Sequence, residues 1–189
     1  PTPSSAASDV YKRQILYVWG VFSEPLAEAL GVDPKDVDGP YQTSVFAFSV
    51  SLFLAGVWQD KIGPRKVTIL GVFLVGTGLL ASGYASTLAE LQVTFGCMVG
   101  AGMGFAYACI GPCTMKWWPE NRKGLVSGLT AGGFAMAALY LAPLSTVLID
   151  HYGILDTFKI LGVGLLFMIP MASFLVNPPK GYVLSLIHI

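Results

Sequence analysis

The chemistry of this sequence is densest in Gly56-Val-Trp-Gln-Asp60-Lys61-Ile-Gly63-Pro-Arg65-Lys66, where one acid and three bases surround a Gly-Pro pair. Gly63-Pro64 calls for a tight turn, and Gly56 lets a neighbouring helix come close. Asp60 at such a turn needs a cation or a helix N-terminus to offset its charge. Lys61, Arg65 and Lys66 either join it in an ion-pair network or fix the turn on one side of a bilayer. A second set of residues could face a small anion. The phenols of Tyr17, Tyr107 and Tyr140 can donate to a carboxylate, the ring edge of Trp19 is partly positive, and Gln42 offers an amide nearer the outer end. Each of these also fits helix packing or interfacial anchoring, which is the favoured role for Tyr140. Glu24 could carry a proton, although Pro25 beside it better fits a wetted helix end.

Other chemistries find no residues. Cys97, Cys109 and Cys113 share one apolar run with no histidine or carboxylate suited to join them, and read as small packing residues. There is no nucleophile-base set, phosphate loop or zinc spacing, so no enzyme and no cofactor is expected. Lys+Arg and Asp+Glu balance at 11 each, which gives no reason to expect nucleic acid as a partner.

The elements that must position these residues follow from composition. Of 189 residues, 54% are hydrophobic and 12% charged, with a mean hydropathy of +0.66. A soluble domain carries about twice that charged fraction. The lipid bilayer is therefore the expected solvent, and the fold class is an all-α membrane protein. A crossing helix needs about 20 mostly apolar residues. Tyr41–Gln59, Val67–Ala85 and Gly124–Ile149 are uncharged runs, while Leu88–Met115 holds only Glu90 and Ile154–Val176 holds only Asp156 and Lys159 near its start. Ile15–Leu30 is a shorter sixth span. These runs exceed the ~10 alternating residues of a barrel strand.

Sidedness follows from the loops. Lys61, Arg65, Lys66, Lys116, Arg122, Lys123 and Lys180 fall on one side, while Asp33, Asp36, Asp38, Glu90, Asp150 and Asp156 dominate the other. The basic side is cytoplasmic by the positive-inside rule, so both ends of the six-helix unit face the cytoplasm of a plasma or inner membrane. Gly31–Pro40 is then an outer loop. Asp60-Lys-Ile-Gly63 has an echo in Asp150-His-Tyr-Gly153 on the opposite side, as two inverted three-helix repeats require. Gly96, Gly100 and Gly104, and likewise Gly124, Gly128 and Gly132, each line one helix face and permit close approach. Residues 1–14 and 183–189 resemble translated sequencing adapter and are set aside as artefact. Residues 15–182 are then expected to be part of a longer frame.

The Gly56–Lys66 loop resembles, position by position, the signature of the major facilitator superfamily, and it lies between the second and third spans as it does there. The resemblance implies the N-terminal half of a twelve-helix fold whose C-terminal six-helix half is missing. It also implies a cytoplasmic latch, with Asp60 facing a helix of that half and Arg65 paired with Glu120. Lys116-Trp-Trp-Pro-Glu-Asn-Arg-Lys-Gly-Leu-Val-Ser-Gly and Tyr17-Val-Trp19-Gly-Val-Phe22 resemble the oxalate/formate antiporter family. Monocarboxylate transporters share much of the pattern. Lys123 between Arg122 and Gly124 departs from it slightly.

The implied substrate is a small organic anion such as oxalate, formate or another mono- or dicarboxylate, moved by alternating access. No cation lies deep in these spans, so the missing half would supply it. Tyr17 and Trp19 gain weight as binding residues from the family's aromatic first helix. A monocarboxylate-proton symporter is the rival among transporters. A non-transporting membrane scaffold or sensor on the same fold is the rival outside them.

Overall fold

A computed structural model describes residues 19, 21–33, 35–116 and 120–170, and every regular element among them is helical. Helix α1 covers residues 21–30. It is followed by α2 (Asp38–Ile62), α3 (Pro64–Ser82), α4 (Leu88–Leu91), a π-helical segment (Gln92–Val99) and α5 (Gly100–Lys116). A 3-10 turn (Glu120–Arg122) then leads into α6 (Lys123–Tyr152) and α7 (Ile154–Phe167). Asp38–Ile62, Pro64–Ser82 and Leu88–Thr114 are long and apolar enough to cross a membrane. The segments 1–14 and 183–189, and the end of the sixth expected span, lie outside the described residues.

Two expected boundaries move. The second span starts at Asp38 and runs through Ile62, not Tyr41–Gln59, and the outer loop is shortened accordingly. The third is Pro64–Ser82, shifted one turn ahead of Val67–Ala85. Backbone hydrogen bonding continues through charged residues that hydropathy assigns to loops, because Asp38, Lys61, Arg65 and Lys66 sit on helix ends where water can reach them. Pro64 occupies the first turn of α3, where its missing N–H costs nothing. At the start of α4, Thr87 accepts the Glu90 N–H at 3.2 Å, and the Glu90 carboxylate accepts the Ser86 N–H at 2.8 Å. This reciprocal cap accounts for the one charge of that span.

Glycines set the helix crossings. α5 packs mainly on α2 and α3, and α3 also packs on α7. A methyl group at Gly71 would lie 2.5 Å from the Ala106 amide nitrogen and 2.7 Å from the Gly102 carbonyl oxygen; one at Gly102 would lie 2.7 Å from the Gly71 carbonyl oxygen. Gly76 and Gly162 are related in the same reciprocal way across α3 and α7. Gly96, Gly100 and Gly104 all abut α2, against Thr43, Ser44 and Ser51 respectively. Close backbone approach brings van der Waals contact, which drives helix association in lipid where apolar burial gives little. Gly124, Gly128 and Gly132 differ, since no described atom comes within 4 Å of a methyl at any of them.

Two cores result. One joins Trp19, Leu26, Val75, Leu79, Leu91 and Phe158. The other joins Ala55, Val67, Phe105 and Cys109. α2 and α6 keep broad apolar faces outside both, with Phe46, Phe53, Leu129 and Leu139 all exposed.

Candidate functional site: a glycine turn, an aromatic cluster and a cavity

The charged loop of the sequence is a turn of one residue. α2 ends at Ile62, and Gly63 alone, at φ 86° and ψ 150°, separates it from Pro64 of α3. The Gly63 N–H donates to the Gln59 carbonyl oxygen at 3.0 Å. A positive φ is strained for any residue with a Cβ, which accounts for the glycine. Asp60, Lys61, Arg65 and Lys66 are exposed around this turn. No described atom comes within 4 Å of a methyl at Gly56. The side chain of Glu120, the expected partner of Arg65, lies outside the described residues.

Sequence reading passed over Gln59, whose Oε1 is buried with no hydrogen-bond partner among the described residues. It is the amide between Trp58 and Asp60, and Trp58 in turn packs on Phe105 at 5.6 Å between ring centroids.

The α6–α7 turn has the same construction. Gly153 stands at φ 79° and ψ 167°, its N–H donates to the Ile149 carbonyl oxygen at 2.8 Å, and α7 starts at the next residue. The two turns match in torsion, in hydrogen bond and in the Asp-x-x-Gly sequence that forms them.

The expected anion-facing residues that are described sit on different elements. Tyr17 lies outside the described residues. Trp19 is 4% exposed; its indole N–H donates to Asp38 Oδ1 at 3.1 Å. Its ring stacks on Tyr41 at 5.0 Å and tilts against Phe95 at 5.3 Å. Phe95 and Phe22 both reach Phe158, which completes an aromatic cluster at the α1–α2 end of the bundle. Gln42 is exposed on the first turns of α2, and Glu24 is exposed on α1. Tyr140 is exposed on α6.

Tyr107 is placed differently. Its ring lies 6.0 Å from that of Phe48, and it lines a cavity of about 240 Å³ between α2, α5 and α6. Thr114, Ser127 and Thr130 also line this cavity. The sequence signal for them was the Ser-x-x-Thr spacing of α6, which puts both hydroxyls on the face carrying Ala131.

The profile of the Major Facilitator Superfamily matches residues 14–185. The chain is 27% identical over 165 residues to the oxalate:formate antiporter of Oxalobacter formigenes, covering 87% of this chain and 39% of that protein. It is 28% identical over 166 residues to the uncharacterized MFS-type transporter YhjX of Escherichia coli (strain K12), covering 87% and 41%. Monocarboxylate transporter 1 of Bos taurus is 31% identical over 172 residues, covering 83% of this chain and 33% of that transporter. The chain thus spans about two-fifths or less of the length of these relatives.

Proposed function

This chain belongs to the major facilitator superfamily, a family of transporters and not of enzymes, and from that premise we propose that it is the N-terminal six-helix half of a carrier for small organic anions. The family, together with three helices long and apolar enough to cross a bilayer, makes it an integral membrane protein. The observation that carries the proposal is the glycine turn: the Gly56–Lys66 signature falls on a one-residue connection with its four charged side chains exposed at one end of α2 and α3.

In this reading the six helices are two inverted three-helix repeats, and the matched turns at Gly63 and Gly153 support that relation. The basic turn faces the cytoplasm, as do both ends of the unit, in a plasma or inner membrane. The exposed apolar faces of α2 and α6 meet lipid and the absent half. Asp60 and Arg65 latch the cytoplasmic side, with Glu120, Lys61 and Lys66 in the network and Gly56 and Gly63 giving it room and shape. The network holds one state of an alternating-access cycle and breaks in the other. The substrate is oxalate, formate or another mono- or dicarboxylate, and the printed names of the relatives support that class. Tyr107 is the candidate contact nearest a cavity, and Tyr17, Gln42 and Tyr140 are the further ones. Trp19, whose polar atom is engaged by Asp38, shapes the first helix for the substrate from within the aromatic cluster.

Exchange in liposomes tests this. The full-length protein is reconstituted with internal formate, and uptake of labelled oxalate or formate is followed. Uptake that requires the internal anion is the expected result. Uptake driven by a pH gradient without a counter-anion selects the monocarboxylate-proton symporter. Absence of flux for every carboxylate, with a stably bound partner protein, selects the scaffold or sensor.

A further inference from the structure

We propose that the Asp150 turn is a second latch, which closes the outer side of the carrier by docking on a positively charged group of the second six-helix half. The proposal rests on the latch reading of Asp60 given above, and it assigns the same work to the α6–α7 turn at the opposite end of the bundle.

The likeness of the two turns extends back along their helices. At a constant offset of 90 residues, the exposure of α2 is repeated in α6. Ala55 and Ser145 are both fully buried. Phe46 and Met136 are 72% and 63% exposed, and Val57 and Val147 are 44% and 53% exposed. Asp60 and Asp150, each three residues ahead of its glycine, are exposed as well. At about 100° per residue, Phe46 and Val57 fall within about 60° of Asp60 around the axis, and Met136 and Val147 fall likewise around Asp150. Each aspartate thus ends an apolar stripe that this chain leaves uncovered. The chain spans about two-fifths or less of the length of its relatives, and the remaining length supplies the cover. One position departs from the match. Thr146 stands where α2 has Gly56, and its hydroxyl donates to the Ala142 carbonyl oxygen at 3.1 Å, so the outer contact is the wider of the two.

The charge itself points outside the chain. Asp60 and Asp150 both lie in the last turn of a helix, where the negative end of the helix dipole disfavours an anion. Neither has a hydrogen bond or ion pair among the described residues. Asp156 differs on both counts, since it lies in the first turn of α7 and pairs with Lys159 at 2.7 Å. A basic side chain or a helix N-terminus of the second half would offset the Asp150 charge. The two turns are at opposite ends of the bundle, so closing one side opens the other. Asp60 then holds one state of the cycle and Asp150 holds the other.

Hydrogen–deuterium exchange of the full-length protein in detergent, read by mass spectrometry, tests this without any transported solute. Peptides covering residues 31–40 and Gly153 report the Asp150 end of the bundle, and those covering Gly63 report the Asp60 end. Asp150→Asn should raise deuterium uptake at its own end about twofold to fivefold, the effect of one surface charge at a helix end, and lower it at the other. Asp60→Asn should do the reverse. Asp150→Glu keeps the charge and should stay near the parent. Uptake that matches the parent at both ends after Asp150→Asn overturns the proposal, as does a change in the same direction as that of Asp60→Asn. A rise at the Asp150 end without the fall at Gly63 is local fraying and overturns it too. A response to Asp150→Asn alone removes the latch reading from Asp60 and leaves the outer latch standing. Absence of carboxylate flux in liposomes bears on neither latch.

Discussion

The indole N–H of Trp19 donates to Asp38 Oδ1 at 3.1 Å, tying the first helix to the first turn of α2 beneath the ring of Tyr41. Trp19 is buried, so its single donor has no water to fall back on. Asp38→Leu should cost about 1–3 kcal/mol of stability, the penalty of a buried donor left unpaired. Asp38→Asn keeps an acceptor oxygen and should stay within about 1 kcal/mol of the parent, the size of a first-turn charge effect. Thermal unfolding in detergent of the parent and both variants checks the order.

Gly63 and Gly153 share a positive φ in open surroundings, so only backbone strain opposes a side chain there. Gly63→Ala and Gly153→Ala should each destabilise by about 1–3 kcal/mol, since their φ and ψ fall in a region that only glycine readily adopts. Gly56 is helical and equally open in this chain. Gly56→Ala should therefore be neutral or slightly stabilising. If it lowers flux through the full-length protein at unchanged stability, its neighbour lies in the second six-helix half of the proposed carrier. Melting temperature and flux measured on the same preparations separate the two effects.

At Gly71 the obstruction is the backbone of α5, which cannot swing aside as a side chain can. Gly71→Val should push α3 and α5 apart and lose about 1–3 kcal/mol or more by overpacking. Gly132→Ala, on the open face of α6, should change stability little. Yield of monodisperse protein and unfolding midpoint give the comparison.

Asp60→Asn removes an exposed charge near the end of α2, so membrane insertion and yield should match the parent. Within the proposed latch, exchange should fall about tenfold or more, the effect of losing roughly 1.4 kcal/mol of state preference. Exchange equal to the parent at equal protein density would remove the latch role from Asp60.

How much of this was legible in the sequence depends on range. The long helices were, because an apolar run of bilayer length has few alternatives. Their ends were misplaced by a turn where charges begin, since hydropathy marks the limit of the apolar region and not the last hydrogen bond. The close approach of Gly96, Gly100 and Gly104 to α2 followed from spacing, yet Gly124, Gly128 and Gly132 have the same spacing and meet nothing described. Spacing fixes a face; what lies opposite is set by the rest of the fold. The Trp19 cluster was beyond reach for a similar reason: Tyr41, Phe95 and Phe158 come from three distant segments, and no local pattern pairs them. The cavity was half legible. Tyr107 stood out as a tyrosine in an apolar run, whereas Ser127 and Thr130 looked like ordinary small residues until Pro112 was seen across from them.

The π-helical segment Gln92–Val99 works as a vernier between two ends of one membrane crossing. In an α-helix, residues four apart drift by about 40° around the axis, because each residue turns about 100°. Over the two steps from Gly96 to Gly104 that drift would reach about 80°. A π turn takes up an extra residue and winds the chain back, which offsets the drift on the step from Gly96, inside the segment, to Gly100 and Gly104 in α5. Removing one residue from this segment would restore α-helical phase above it and rotate everything below by about 100°. Gly100 and Gly104 would leave α2, Gly102 would leave Gly71, and Tyr107 would turn out of the cavity together with Thr114.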